Sequence, residues 1–187
     1  NERFTYRDYC TWPDGERWEI IDGIAYDMSP APSMEHQNIS MRISILLGTA
    51  LKGKKCKILA APCDVVLSDY DVVQPDLFVV CDESKITPKN LQGAPDLVIE
   101  ILSPSTSHKD QQQKLDLYEK YGVKEYCIVD PAWQCVYRFA LGENNKYGRS
   151  DYFAVQQSLP LISLPGLSLP LWDVFGVEKT TTPESVS

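Results

Sequence analysis

The chain has 187 residues, of which 43% are hydrophobic and 10% aromatic, and its 26 acidic and 18 basic residues give a net charge of −8. This length fits one domain with a tail, and the apolar content excludes a wholly disordered chain. No apolar run reaches the roughly 18 to 20 residues that cross a bilayer, so we expect neither a membrane span nor a membrane partner. The acidic total excludes a protein that coats nucleic acid non-specifically, which would be basic.

Cysteine and histidine usage narrows the chemistry. Six cysteines occur without a CxxC pair or zinc-finger spacing, and Cys81 and Cys127, in apolar runs, are predicted to be small core residues. Because cysteine density is low and the printed chain starts without an apolar signal segment, we expect reduced thiols and a cytoplasmic location. Since His36 and His108 are its two histidines, any metal must be held mostly by oxygen, which favours Mg²⁺ or Mn²⁺ over Zn²⁺.

The N-terminal third is predicted to contain a short helix, a hairpin and a longer helix. A helix over 5–12 begins at a threonine that can cap it. A hairpin over 17–27 turns at Asp22-Gly23, a pair that suits a type I′ turn. Apolar residues at offsets of 4, 7, 8, 11 and 12 from Ile39 predict one apolar helix face over about four turns.

The rest of the chain alternates between strands and a helix. The predicted elements are strands over 58–67 (interrupted by Pro62), 72–80 (bent at Pro75) and 96–102, a helix over 109–121, strands over 125–129, 133–140 and 152–155, and an extended wrap over 159–175. This order predicts an α/β (α+β) fold with a mixed sheet flanked by helices, in one domain over 1–175. Residues 176–187 are predicted to be a disordered tail.

Acidic residues interrupt strands that are otherwise apolar. Asp76 and Glu100 each stand within such a run, where an ionised carboxylate is costly unless it is paired or binds metal. A lone acid of this kind is more often a strand end, a solvent-facing residue or a salt-bridge partner. For two acids in strands that can be neighbours, a functional site and a structural explanation are supported about equally. For Glu19, in the hairpin, a solvated position is the stronger interpretation.

Lys114 is a further candidate, in the helix that follows Glu100. An ordinary solvated helix lysine is the usual outcome. Its functional interpretation is a cation that orients or deprotonates a water, or that stabilises developing negative charge. Carboxylates and one lysine suit metal-assisted attack of water on a phosphodiester, since the metal lowers the pKa of its bound water.

Five segments together resemble one known family. They are W-E-I-I-D-G at 18–23, Q-P-D at 74–76, A-P-D-L-V-I-E-I-L-S-P-S-T at 94–106, K-L-x-L-Y at 114–118 and G-V-x-E-Y-x-I-V-D-P at 122–131. In this order, from about residue 5 to residue 170, the chain resembles the Uma-two family of proposed restriction endonucleases.

The resemblance implies a restriction-endonuclease-like fold of the PD-(D/E)XK type and hydrolysis of DNA with Mg²⁺ or Mn²⁺. It assigns the metal to Asp76, which follows a proline, and to Glu100, with Glu19 as an assisting acid. Two residues after Glu100 the general pattern has a lysine, and this chain has Leu102. The resemblance implies that Lys114 supplies that charge from the following helix. Since nucleases of this fold often act as dimers, a homodimer is expected by analogy.

Three functions remain open from the sequence. They are a metal-dependent DNA endonuclease, a nucleic-acid-binding relative that has lost cleavage, with Leu102 as the mark of the loss, and a non-nucleolytic oligomer whose acids are ion-pair partners. Asp96 also follows a proline and is a weaker candidate than Asp76. His36 is a lesser candidate for a phosphate contact, and a local hydrogen bond at the helix start is its stronger interpretation.

The charge is unevenly distributed along the chain. Residues 36–63 carry five bases and no acid, whereas residues 64–100 carry eight acids and two bases. The basic stretch can face a phosphate backbone, although a solvated helix end explains such lysines more simply. A divalent ion would neutralise part of the acidic stretch, so we expect weak DNA binding without metal.

Overall fold

The computed structural model describes residues 3–13, 15–28, 31–103 and 108–180, with the backbone alone for 108–110. The helices are α1 (Tyr6–Tyr9), α2 (Met34–Ala50), α3 (His108–Lys120) and α4 (Leu171–Phe175). The strands are β1 (Trp18–Ile21), β2 (Ile24–Asp27), β3 (Lys57–Ala60), β4 (Val65–Ser68), β5 (Asp71–Val73), β6 (Leu77–Val80), β7 (Leu91–Gln92), β8 (Leu97–Ile101), β9 (Glu125–Asp130), β10 (Cys135–Ala140), β11 (Asp151–Ala154), β12 (Ser158–Pro160) and β13 (Ser168–Pro170).

The strands form two main sheets. A central six-stranded sheet has the order β11-β10-β9-β8-β6-β3, with β8 and β9 parallel and the other neighbours antiparallel. A second sheet has the order β2-β1-β5-β4-β7. The predicted mixed sheet flanked by helices is confirmed, and the structure adds the second sheet to it.

Local sequence explains the hairpin and the starts of two helices. Asp22 and Gly23 have φ angles of 51° and 75°, the left-handed pair that a type I′ turn requires. Thr5 caps α1 through a capping box, and α1 ends at Tyr9, earlier than predicted. Ser33 caps α2, whose backbone N–H at the third helical position donates to its hydroxyl.

Two prolines divide predicted strands between the sheets. The single bent strand predicted over 72–80 is wrong, because β5 lies in the second sheet and β6 in the central sheet, with Pro75 between them. The strand predicted over 58–67 is divided in the same way at Pro62, into β3 and β4. Proline has no N–H for the ladder, so the chain leaves one sheet and enters the other there.

Helices cover both faces of the central sheet. On one face, α2 and α4 pack with Ile99 and the other odd-numbered residues of β8. On the other face, α3 packs through Leu117 and Tyr118 against Val98. Because side chains alternate along a strand, Glu100 is directed to the face that α3 covers. This placement brings Glu100 to the helix that carries Lys114.

The predictions for the cysteines and for the C-terminal tail have mixed outcomes. Cys127 is buried as predicted, but Cys81 is bonded to Cys56 in a disulfide, because pairing of β3 with β6 brings the two cysteines together. The expectation of reduced thiols is therefore wrong for this pair. Of the predicted tail, residues 181–187 lie outside the described residues, and Thr180 still donates to Gln156. Within the described ranges, no helix has the length and apolar character that a membrane crossing needs.

Candidate active site

A buried ion cluster lies where the two sheets meet. Lys114 Nζ on α3 lies 3.0 Å from Oε1 of Glu19 on β1 and 2.9 Å from Oε1 of Glu100 on β8. Glu19 and Glu100 are 6% and 8% exposed. The solvated interpretation of Glu19 is therefore wrong, and Lys114 is a partly buried cation shared by two buried acids.

The crossing at Pro75 brings the second sheet to this cluster. The backbone N–H of Gln74, the residue before the proline, donates to Glu19 Oε1 at 2.9 Å. The Gln74 side chain is held by Asp64 and by Arg17. Glu19 thus accepts hydrogen bonds from a cation and from a peptide N–H, and these bonds stabilise its charge away from water.

Glu100 has a second side-chain donor on α3. The hydroxyl of Tyr118 donates to Oε1 at 2.8 Å. Lys114 and Tyr118 are four residues apart, so they share a helix face. The other oxygen, Oε2, accepts from the Asp76 N–H at 3.5 Å, which is a long contact. From the sequence, Tyr118 enters only as part of the 114–118 motif and this bond is missed, although its spacing from Lys114 was the available signal.

Asp76 is held from two directions at one oxygen. Its Oδ2 accepts from the Ile101 N–H at 2.8 Å and lies 3.0 Å from Nε2 of His36. The local hydrogen bond predicted for His36 is present through its backbone, which donates to Ser33, but the imidazole reaches Asp76. Nδ1 of His36 is buried and has no partner in the part of the chain that the structure describes.

The ionisable groups of the cluster have displaced pKa values. Burial raises the pKa of Glu100 to about 7, and the charges of Asp76 and Glu19 add to this against the opposing charge of Lys114. Burial alone would lower the pKa of Lys114, but the two acids outweigh it and raise that pKa. For His36, burial also acts to lower the pKa, and the bond and charge of Asp76 raise it overall. A carboxyl that titrates near neutral pH is typical of an active site.

The donor set suits a hard divalent ion. Among the described residues, no donor reaches Asp76 Oδ1, and Glu100 Oε2 has the long peptide contact alone. Mg²⁺ binds through one or two carboxylates and keeps several waters. Within the described ranges, no cluster of three or more His, Cys, Asp or Glu side chains is arranged to hold a metal ion. The carboxylate oxygens of Asp76 and Glu100 are the donor type that Mg²⁺ and Mn²⁺ take, whereas Zn²⁺ favours nitrogen and sulfur.

Leu102 stands where the general pattern has a lysine, and its side chain carries no charge. It is partly buried and packs against the core on the α3 side of the central sheet. The cation at the acids is Lys114, from the helix, as the resemblance implied. The structure thus brings Glu19, Glu100 and Lys114 into direct contact and gives Asp76 one long backbone contact with Glu100, while the catalytic roles of these residues stay predictions.

The chain has a fold of the restriction-endonuclease-like class, with helices on both faces of a mixed sheet and acids at the crossing between the sheets. A crystal structure from Anabaena variabilis ATCC 29413, described as "a putative nuclease belonging to DUF820", matches with a TM-score of 0.76 over 92% of this chain and 98% of that one. The two sequences are 21% identical, so this likeness shows the fold alone. The chain belongs to the Uma2 family, described as "Putative restriction endonuclease", whose model matches residues 5–172.

Two curated relatives come from Synechocystis sp. (strain ATCC 27184 / PCC 6803 / Kazusa). "Uncharacterized protein slr1290" is 32% identical over 114 residues, which are 59% of this chain and 60% of the relative. "Uncharacterized protein sll1609" is 25% identical over 119 residues, which are 62% of this chain and 67% of the relative. The first match thus spans less than two thirds of the relative's own length.

Proposed function

We propose that this protein is a Mg²⁺- or Mn²⁺-dependent endonuclease that hydrolyses DNA phosphodiester bonds. The observation that carries the proposal is the convergence of Glu19, Asp76, Glu100 and Lys114, from separate elements, at the crossing between the sheets. Family membership and the restriction-endonuclease-like fold support it, and the argument for a reaction comes from the site.

The roles follow from the contacts. Asp76 and Glu100 would hold the ion through carboxylate oxygens. When bound, the ion polarises a phosphoryl oxygen and lowers the pKa of a bound water. Lys114 is kept protonated by its two acids, so it stabilises negative charge that develops near Glu100. Glu19 assists by holding Lys114 in place.

One observation favours a second candidate, a protein of this fold that does not cleave. Lys114 contacts both acids directly, and such a triad can be a structural ion cluster. Leu102 in place of the usual lysine fits the same view, either for a nucleic-acid-binding relative or for an oligomer without nuclease activity. The endonuclease is favoured because Asp76 lies outside the triad as a further, partly buried acid whose backbone N–H contacts Glu100.

The deciding experiment combines metal binding with cleavage. Titration calorimetry with Mn²⁺ and cleavage of supercoiled plasmid, with and without Mg²⁺ or Mn²⁺, are measured for the wild type, Asp76→Asn and Glu100→Gln. We expect binding and cleavage by the wild type and loss of both in the variants. Glu119→Gln is the matched control, since Glu119 pairs with Lys146 at the surface.

Each other outcome has a definite meaning. A wild type that does not bind Mn²⁺ contradicts the proposal, and binding without cleavage favours the inactive relative. Cleavage that survives in both acid variants indicates a contaminating nuclease. Single-stranded DNA and RNA substrates in the same assay test the choice of DNA. The homodimer and the cytoplasmic location stay predictions, and light scattering in solution tests the first.

Four of the five bases in the basic stretch lie away from the site. His36 is in the first turn of α2, whereas Lys52, Lys54, Lys55 and Lys57 follow its last turn and are exposed. At 1.5 Å per residue, α2 separates the two by roughly 20 Å. A phosphate that contacts these lysines would therefore belong to a part of the backbone distant from the scissile bond.

A further inference from the structure

Packing alone does not explain why a histidine occupies position 36. The side chain is 8% exposed, and its Nδ1 is buried with no partner among the described residues. A buried polar atom without a hydrogen bond destabilises the folded protein. An apolar side chain would fill the same space without that cost. What the imidazole provides, and an apolar residue lacks, is the contact between Nε2 and Asp76.

In that contact, Nε2 of His36 donates a hydrogen bond to Asp76, whether the ring is charged or neutral. An ionised carboxylate only accepts, so Nε2 must carry the proton. Nε2–H is present both in the imidazolium and in the neutral tautomer that leaves Nδ1 bare. The arrangement therefore needs no particular protonation state of His36.

Two donors on one oxygen determine the orientation of the carboxylate. Oδ2 of Asp76 accepts from Nε2 of His36 on α2 and from the N–H of Ile101 on β8. Because a carboxylate is planar, holding Oδ2 from two elements also fixes the position of Oδ1. Among the described residues, Oδ1 has no donor and stays available.

We propose that His36 is a positioning residue for Asp76, holding Oδ2 so that Oδ1 is presented to the metal ion. The inference rests on the proposed function and adds a residue that the assignment by resemblance did not include. His36 is expected to act through Asp76 and not on the substrate, in the way that partners of metal ligands orient those ligands in other proteins.

The test compares His36→Leu with His36→Gln. The glutamine amide keeps an N–H donor at similar reach but cannot titrate, whereas leucine fills the space without a donor. We measure the Mn²⁺ dissociation constant by calorimetry, and kcat and KM on plasmid DNA. For His36→Leu we expect metal affinity to fall roughly 10–100-fold, with kcat reduced and KM for DNA unchanged. His36→Gln should restore most of the affinity.

Several outcomes would overturn the proposal while leaving the proposed function intact. In each, the wild type binds Mn²⁺ and cleaves. Wild-type affinity in His36→Leu would show that the contact does not matter, and equal loss in both variants would show that ring charge or packing matters instead. A wild type without Mn²⁺ binding refutes the proposed function itself.

A second measurement does not depend on folding of the His36 variants. A long-range ¹H–¹⁵N spectrum of the wild type reports which ring nitrogen carries the proton, and the chain has two histidines to assign. His108→Gln identifies the signals of His36. We expect Nε2 of His36 to be protonated throughout the range in which the protein is folded. A neutral ring protonated at Nδ1 alone would overturn the proposal.

Discussion

Removal of the cation shared by the two buried acids should destabilise the fold in a pH-dependent way. In Lys114→Met, the carboxylates of Glu19 and Glu100 lose the ammonium group that lies 3.0 and 2.9 Å from them. Breaking a buried ion pair from one side costs roughly 3–5 kcal/mol, because the remaining charge is left without compensation. We expect a loss of that size in the free energy of unfolding at pH 8.

The sign of the pH dependence follows from Glu100. Its pKa in the folded protein is about 7, above the ordinary value of 4.5. Stability associated with the protonated form is complete below pH 4.5 and is lost, by about 1.4 kcal/mol per pH unit, as the pH rises through the folded pKa. In the wild type this loss ends near pH 7. Without Lys114, whose charge lowers that pKa, the loss continues at higher pH.

Urea unfolding followed by circular dichroism at each pH from 5 to 9 tests this. The gap between the wild type and Lys114→Met should widen from pH 5 to pH 9. Adding Glu100→Gln to the variant should remove most of the widening. Lys146→Met, which breaks an exposed pair with Glu119, should change stability little at any pH. A gap for Lys114→Met that is equally small, or constant with pH, would refute the reasoning.

Three further changes should have distinct effects. Tyr118→Phe removes a donor from buried Glu100 and should cost about 1–3 kcal/mol in urea unfolding at pH 8, with a smaller effect at pH 5; equal effects at both would contradict this. Burial acts to raise the pKa of Asp71, but its hydrogen bonds lower that pKa overall. The stability that the ionised Asp71 contributes is therefore lost as the pH falls below 3.8. In an acid titration of the free energy of unfolding, Asp71→Asn should depend less steeply on pH in that range than the wild type. Alkylation of the denatured but unreduced protein should label four of the six cysteines. Cys56→Ser should cost about 3 kcal/mol in thermal or urea unfolding, with labelling of Cys81 under the same conditions.

Local features of the fold were predictable because short sequence patterns determine them. The hairpin turn at Asp22-Gly23 needs left-handed backbone at adjacent residues, and that residue pair signals it. The α2 helix follows from its apolar spacing. The division of two strands at Pro62 and Pro75 was not predictable, because an apolar run looks the same whether it continues in one sheet or passes to another.

The candidate site was predictable in part for a related reason. Acids inside apolar strands are unusual from sequence alone, which identified Asp76 and Glu100. The burial of Glu19 depends on the second sheet, so its hairpin position was misread as solvated. The contact between His36 and Asp76 depends on how α2 packs over the sheet. The disulfide of Cys56 was missed because strand pairing, not sequence spacing, creates it.

Glu19 belongs to the second sheet, so part of the negative charge in the ion cluster does not come from the central sheet. Glu19 and Lys114 are 95 positions apart, and Glu19 belongs to a hairpin whose strand β2 is the outer edge of the second sheet. Substitutions in that hairpin can therefore remove or add one negative charge at the centre without changing a strand of the six-stranded sheet. In this chain, the hairpin is a position at which the electrostatics of the centre can be changed independently of the scaffold that holds Asp76 and Glu100.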